Sequence, residues 1–176
     1  MSSSERYIPP PVSEIIASEA PMPPPRALSR EEGAELIRRM NQPGGHKLVL
    51  DADEQDFIAA QPPVREPAAI DWLVRELTEA PEPGSDFYRA VCATVDFAFG
   101  RGRGPLSGEA PRNSPPTCSD IEYEESVAVR YIHGQTSHTE SPLRRSQDYS
   151  VGVEHTCLWL RCATGQPPWG APIDEA

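Results

Sequence analysis

The apolar residues that follow Ser29 recur at helical intervals. Leu36, Ile37 and Met40 fall on one face of a helix, and Ser29 with Glu32 has the spacing of a capping box. A Pro-Gly-Gly run stops this pattern, because proline and glycine interrupt regular backbone structure. The sequence therefore predicts a first helix that begins just after Ser29 and ends before that run.

Two stronger helical patterns cover residues 66–80 and 85–99. Pro67 suits the first turn of one helix, and Ser85 is a capping residue for the other. A brief helix is also expected over residues 51–58, which begin with an acidic run. Each of the two long patterns has an apolar face, and we expect these faces to pack on each other. Their residues are Ile70, Leu73, Val74 and Leu77, and then Phe87, Tyr88, Val91, Cys92, Val95 and Phe99.

The last third of the chain changes from a helical to an alternating pattern. In residues 121–131 and again in 151–159, apolar and polar residues alternate, as they do in half-buried strands. Residues 47–50 are a shorter strand candidate. Helices followed by strands predict the α+β class, with the helices packed on an antiparallel sheet.

Proline content divides the chain into three parts. The 176 residues include 21 prolines and 12 glycines, so much of the chain must lie outside helices and strands. Residues 1–28 predict a disordered proline-rich arm, residues 29–165 an α+β globular domain and residues 166–176 a flexible tail. No signal peptide or run of about 20 apolar residues occurs, so we expect any membrane contact to be peripheral.

The net charge of −11 disfavours general binding to nucleic acid or anionic lipid, since like charges repel. We expect no direct sequence-specific binding to nucleic acid. A local exception is the glycine-rich loop that contains Arg101 and Arg103. This loop could contact phosphates or lipid headgroups; the alternative is a solvated loop without a partner.

Six potential metal ligands lie in the last third of the chain: Cys118, His133, His138, His155, Cys157 and Cys162. Zinc sites commonly use Cys and His in closely spaced pairs. On a strand, His155 and Cys157 would share a face, which makes them the candidate pair. Buried cysteines and ordinary loop histidines explain the same residues without a metal, so we expect none.

Motifs for catalysis are missing from the sequence. Neither a phosphate-binding loop nor a nucleophile elbow occurs. Glu122 and Glu124 could imitate a pair of catalytic carboxylates, but on an alternating strand they form the solvated face. We therefore expect no enzymatic activity and no cofactor.

The proline-rich arm carries two candidate motifs for binding a partner. One has the PxxPxR form that SH3 domains accept, and the other is a proline triplet similar to WW-domain ligands. Their residues are Pro9, Pro10, Pro11, Pro21, Pro24 and Arg26. Such segments favour the polyproline II conformation, which lowers the entropic cost of docking. The alternative is a spacer.

Three motifs, taken in order, resemble the rhabdovirus matrix proteins, particularly those of lyssaviruses. They are the proline triplet at 9–11, Leu-Thr-Glu-Ala-Pro-Glu-Pro at 77–83 and Arg-Gly-Pro-Leu-Ser-Gly-Glu at 103–109. Their order and approximate spacing are similar to those of the family, and the resemblance is best over residues 70–110.

The resemblance implies a non-enzymatic matrix protein that acts in virion assembly and budding. It implies a homo-oligomer that links the viral nucleocapsid to the membrane, with the nucleocapsid and the envelope glycoprotein as partners and only peripheral contact with host membranes. The proline triplet would recruit host WW- or SH3-type proteins, and the protein would lie in the virion and the host cytoplasm. Two other functions stay open: an adaptor whose arm binds SH3 or WW domains, and a small zinc-binding interaction protein that uses His155 and Cys157.

Overall fold

The computed structural model describes residues 26–80, 84–135 and 145–170, and these contain six α-helices. A short 3-10 helix, Gly45–Lys47, follows the first of them. The α-helices are α1 (Arg30–Met40), α2 (Ala52–Ala59), α3 (Pro67–Thr78), α4 (Asp86–Ala98), α5 (Cys118–Ile132) and α6 (Gln147–Leu160).

The helices predicted in the first hundred residues are confirmed. In α1, the Ser29 side chain accepts from the Glu32 N–H and the Glu32 carboxylate accepts from the Ser29 N–H, which completes the capping box. Pro67 occupies the first turn of α3. The Ser85 hydroxyl accepts from the Tyr88 N–H and caps α4. These local signals fix where each helix begins.

The predicted α+β fold is wrong. Among the described residues every regular element is a helix and no strand is present, so the helices have no sheet to pack on. Residues 121–131 belong to α5 and residues 151–159 belong to α6. Residues 48–50, within the third strand candidate, lie outside any helix and pair with no neighbouring strand, and Leu48 has extended backbone angles.

The alternating pattern in α5 misleads because one core position is a glutamate. Buried residues recur every three or four positions along this helix, as they do on one helical face. The buried residues are Cys118, Asp120, Ile121, Glu124, Val127, Ala128 and Tyr131. When Glu124 is counted as a surface residue, the remaining apolar residues imitate the period of a strand.

Polar residues hide the helical pattern of α6 in the same way. Ser150 and Thr156 are fully buried. The Thr156 hydroxyl donates to the Gly152 carbonyl oxygen at 2.7 Å, and the Ser150 hydroxyl donates to the Ser146 carbonyl oxygen at 3.3 Å. Because helical carbonyls one turn earlier satisfy these hydroxyls, they can be buried without a large desolvation penalty.

The main core lies where α6 packs against α4 and α5, and α3 adds Ile70, Leu73 and Leu77 to it. The Tyr88 hydroxyl of α4 donates to the Leu77 carbonyl oxygen at the end of α3. A second cluster of apolar side chains, here called the N-terminal cluster, lies beneath α1 and α2. It consists of Leu36, Met40, Ile58, Val64, Cys118 and Cys162.

The first residues after α6 pack on α4. Pro167 and Pro168 are buried, and the Trp169 ring contacts the rings of Phe87 and Tyr88 with centroid separations of 6.3 and 5.3 Å. Residues 171–176, the remainder of the predicted tail, lie outside the described residues.

The loop between α4 and α5 is organised around the buried Glu124 side chain. Its carboxylate accepts hydrogen bonds from the Leu106 N–H at 3.0 Å, from the Ser107 N–H at 3.2 Å and from the Ser107 hydroxyl. Leu106 is buried in the main core as a result. Gly104 is required here, because a Cβ at this position would lie 2.1 Å from a Glu124 carboxylate oxygen.

Replacement of Glu124 should therefore destabilise the fold. We expect Glu124→Ala to lower the free energy of unfolding by about 2–4 kcal/mol, because it leaves the N–H groups of the buried Leu106 and the half-buried Ser107 without an acceptor. Glu124→Gln keeps one acceptor oxygen, and we expect a loss of about half that size. Urea denaturation followed by circular dichroism measures both values.

The exposed Asp71 of α3 provides the matched control. Asp71→Asn should change the free energy of unfolding by no more than about 0.5 kcal/mol, as is usual for surface positions. Unfolding midpoints that are the same for Glu124→Ala and for the control would contradict this account of the loop.

Candidate functional site

A cleft of about 460 Å³ opens between the N-terminal cluster and the C-terminal end of α6. Its apolar wall consists of Met40, Leu48, Leu50 and Ile58. Its polar groups come from separate elements: His46 from the 3-10 helix, Gln55 and Asp56 from α2, Glu122 from α5 and Arg161 from the end of α6. A cleft with an apolar wall and a few polar groups is the usual form of a binding site.

Residues 48–50, here called the extended segment, form one side of the cleft. Leu48 and Leu50 line the cleft, whereas the Val49 side chain between them is 94% exposed. The Gln55 amide donates to the Leu50 carbonyl oxygen at 2.9 Å and holds the segment against α2. Within the described residues, the N–H and C=O of Val49 have no hydrogen-bond partner.

Two polar side chains outside the cleft lining tie together the elements that surround the cleft. The Asn41 amide donates to the Val64 carbonyl oxygen at 2.7 Å and accepts from the Glu66 N–H, so the end of α1 is tied to the segment before α3. The Arg65 guanidinium donates to the carbonyl oxygens of Trp159 and Thr164 and lies 4.9 Å from the centre of the Trp159 ring. Burial lowers the pKa of Arg65.

Arg161 is the arginine of the cleft lining. Its guanidinium pairs with Glu122, at 3.3 Å, and with Glu125. Burial raises the pKa of the Glu125 carboxyl, and the Arg161 charge opposes this effect. The buried Nε of Arg161 has no acceptor among the described residues. The positive charge of Arg161 is thus balanced within the protein.

Cys118 and Cys162 lie at the inner end of the cleft. The Cys118 thiol donates to the Pro62 carbonyl oxygen at 3.4 Å, and the Cys162 thiol lies 3.5 Å from the Asn41 amide oxygen. Burial raises the pKa of each thiol to about 11. Since the thiolate is the nucleophilic form, neither cysteine is activated for covalent chemistry near neutral pH.

Cys162 ends α6 in a left-handed backbone conformation, with φ of 59°. The Ala163 N–H donates to the Leu158 carbonyl oxygen at 2.8 Å, which is the hydrogen bond of a Schellman C-terminus. Glycine usually occupies this position because it lacks a Cβ. The buried thiol side chain is therefore kept at the cost of some backbone strain.

The proline positions proposed from the sequence, Pro9, Pro10, Pro11, Pro21 and Pro24, lie outside the described residues. Arg26 is described and contacts the folded domain. Its backbone N–H donates to an Asp53 carboxylate oxygen at 3.0 Å, and its guanidinium pairs with Glu32. The C-terminal end of the arm therefore joins the domain beside α2.

The two loop arginines lie at the end of α4, away from the cleft lining. Arg101 pairs with Asp96 at 3.1 Å, and its guanidinium lies 5.6 Å from the centre of the half-exposed Phe99 ring. Arg103 donates to the Gly108 carbonyl oxygen at 2.7 Å. Both side chains are exposed, but each already has a partner within the loop region.

His155 and Cys157 do not form a pair. On helix α6, residues two positions apart point in nearly opposite directions, and accordingly Cys157 is fully buried whereas His155 is exposed beside Phe87. The part of the chain that the structure describes contains no group of three or more His, Cys, Asp or Glu side chains suited to a metal ion.

Sequence reasoning missed most of the cleft. One signal was available: the apolar Leu48, Val49 and Leu50 stand between a glycine-rich turn and an acidic helix start. Cys118, Glu122 and Arg161 are brought together only by the packing of α5 and α6, and no local pattern marks them.

Comparisons with protein-family models, with curated proteins and with solved structures find no match to this chain. In the described residues, no helix has both the length and the apolar composition needed to span a bilayer.

The raised thiol pKa values predict slow alkylation of the cleft cysteines. At about pH 8, a thiol with a pKa near 11 has a thiolate fraction roughly one hundredth of that of an ordinary cysteine. We therefore expect iodoacetamide to modify Cys118 and Cys162 about one hundredfold more slowly in the native protein than in guanidinium chloride. Peptide mapping by mass spectrometry gives the rate at each cysteine.

The half-buried Cys92 serves as an internal comparison and should react faster than either cleft cysteine. Native rates at Cys118 or Cys162 within about tenfold of the unfolded rates would show that these thiols are accessible and ionised, contrary to this description of the site.

Proposed function

We propose that this chain is a non-enzymatic interaction protein, an adaptor whose helical domain binds a segment of a partner protein in the cleft. One observation carries the proposal. The extended segment presents Val49, 94% exposed, with an unpaired backbone N–H and C=O, beside a cleft of about 460 Å³ that has one apolar wall. Unpaired backbone groups on an extended segment are typical of surfaces that bind another chain by strand addition.

The chemistry of the cleft supports binding over catalysis. The thiols of Cys118 and Cys162 are protonated at neutral pH because burial raises their pKa to about 11. The Arg161 guanidinium is held by Glu122 and Glu125. An activated nucleophile needs an adjacent base or a lowered pKa, and these cleft thiols have a raised one.

The proline-rich arm would supply the second binding element of an adaptor. Its SH3-type and WW-type motifs rest on the sequence, and their prolines lie outside the described residues. Arg26 joins the arm to the domain through Asp53. A partner bound to the arm would therefore be held close to a partner bound in the cleft, which raises the effective concentration of one for the other.

Virion assembly, the function that the resemblance to rhabdovirus matrix proteins implies, stays a hypothesis based on sequence motifs. Self-association, nucleocapsid and glycoprotein binding and a location in the virion belong to that hypothesis. None of the contacts in the cleft bears on it, and we therefore base the proposed function on the cleft.

An unbiased peptide selection tests the proposed function. A displayed library of random twelve-residue peptides is selected on the immobilised full-length protein, and the affinities of enriched peptides are measured in solution. We expect peptides that bind the wild-type protein and lose about tenfold or more in affinity, roughly 1.4 kcal/mol, with Ala59→Trp. Ala59 lines the cleft, so the indole would occupy the space of the ligand.

Ala60→Trp is the matched control. Ala60 is the next residue, is exposed and lies outside the cleft lining, so this variant should bind the selected peptides like the wild type. Circular dichroism confirms that both variants are folded. A selection that yields no peptide whose binding depends on position 59 would contradict the proposed function.

A further inference from the structure

We propose that the cleft takes an extended, apolar and basic peptide segment of the partner, which pairs its backbone with Val49 and places a lysine or arginine against Asp56 and Glu122. This inference rests on the proposed function and specifies the chemical class of the partner. Three observations support it: the backbone of the extended segment, the charges at the cleft, and the acidic composition of the two alternative ligands, which are the chain's own arm and a second copy of the chain.

The backbone of Val49 selects an extended ligand. In an antiparallel pair, two opposed residues exchange both of their backbone hydrogen bonds, so a single residue of the partner can satisfy both the N–H and the C=O of Val49. A helical ligand cannot do this, because its own backbone groups are paired internally. Addition of a strand to an unpaired edge is an established mode of peptide recognition.

The positions beside Val49 select apolar side chains. Leu48 and Leu50 line the cleft together with Met40 and Ile58. Side chains on neighbouring paired strands lie side by side on the same face. Alternate residues of the added segment would therefore enter the cleft and bury apolar area against these four side chains.

The charges at the cleft favour a ligand with a cationic side chain. Asp56 is exposed and has no ion-pair partner among the described residues, and the Glu122 side chain is 60% exposed. Arg161, the arginine in the lining, is already shared between Glu122 and Glu125. The lining thus has two carboxylates, those of Asp56 and Glu122, against the one guanidinium of Arg161. The whole chain is also acidic, with a net charge of −11. An acidic ligand would be repelled, whereas a basic one would be attracted.

The composition of residues 1–25 argues against the chain's own arm as the occupant. This stretch carries Glu5, Glu14 and Glu19 against a single arginine, Arg6, so its charge does not complement the cleft. It is also rich in proline, which has no N–H to donate to a paired strand.

A second copy of the chain is disfavoured by charge as well. The extended segment is followed directly by Asp51, Asp53, Glu54 and Asp56. Pairing of two such segments would bring these acidic runs close together, and like charges brought together at an interface oppose association.

Defined peptides test the inference. The probes are fluorescein-labelled seven-residue peptides that alternate valine with serine, so that the valines share one face. One inner valine of that face is replaced by lysine, serine or glutamate, which gives the valine–lysine, valine–serine and valine–glutamate peptides, and a fourth probe is the valine–lysine peptide with N-methylated backbone amides. Fluorescence anisotropy measures their binding to the full-length protein at about 0.1 M salt. We expect the valine–lysine peptide to bind about tenfold or more tightly than the valine–serine peptide. Glutamate or N-methylation should abolish binding.

Variants of the protein test the contribution of the Asp56 and Glu122 carboxylates separately from occupation of the cleft. Asp56→Asn combined with Glu122→Gln should reduce the preference for lysine over serine by about threefold to tenfold, since each is a solvent-exposed pair. Asp71→Asn on α3 also removes a carboxylate charge, but outside the cleft lining. It should leave the preference for lysine over serine unchanged. Ala59→Trp should abolish binding of the valine–lysine peptide.

The inference is overturned if the valine–lysine peptide fails to bind, if the glutamate peptide or the N-methylated peptide binds equally well, or if the double variant keeps the full preference for lysine. These results are distinguishable from failure of the proposed function. Selected peptides that depend on position 59 but are acidic or helical would refute the ligand class alone, whereas a selection without any such peptides refutes both.

Discussion

Helix α6 packs against both α4 and α5, and it approaches α4 closely at Gly152. A Cβ at this position would lie 2.8 Å from both the Ala90 Cβ and the Phe87 carbonyl oxygen, so no larger residue fits without displacement of the backbone. This contact sets the position of α6, and α6 in turn ends at Arg161 and Cys162, which line the cleft. The candidate binding site therefore depends on the packing of α6 on α4, although the contact at Gly152 lies outside the cleft lining.

The parts of the fold that could be predicted are those in which local chemistry agrees with tertiary packing. Ser29, Pro67 and Ser85 mark helix starts through hydrogen bonds or backbone angles that involve only nearby residues. Helices α5 and α6 could not be recognised from hydrophobic period because their core faces include the polar residues Glu124 and Thr156. Glu124 is buried because its carboxylate accepts hydrogen bonds from the loop at residues 104–109. No local sequence pattern reveals this contact.

The candidate site was less predictable than the fold. The apolar run at residues 48–50 was visible, but the expected strand has no partner and its middle side chain faces solvent. Cys118 and Arg161 are 43 positions apart and share the cleft because α5 and α6 pack together. The conformation of Cys162 was also hidden, since glycine is the residue that normally signals a left-handed helix end.

The most direct test is whether residues 118–132 and 147–160 are helical in solution. The cleft is formed by residues of α5 and of the end of α6, so it requires both helices. Backbone chemical shifts of the ¹³C,¹⁵N-labelled full-length protein give the answer for each residue. We expect helical Cα and Cβ shifts throughout both ranges and a left-handed backbone at Cys162. Strand-like shifts over residues 121–131 and 151–159 would contradict the helical fold and would remove the structural basis of the cleft.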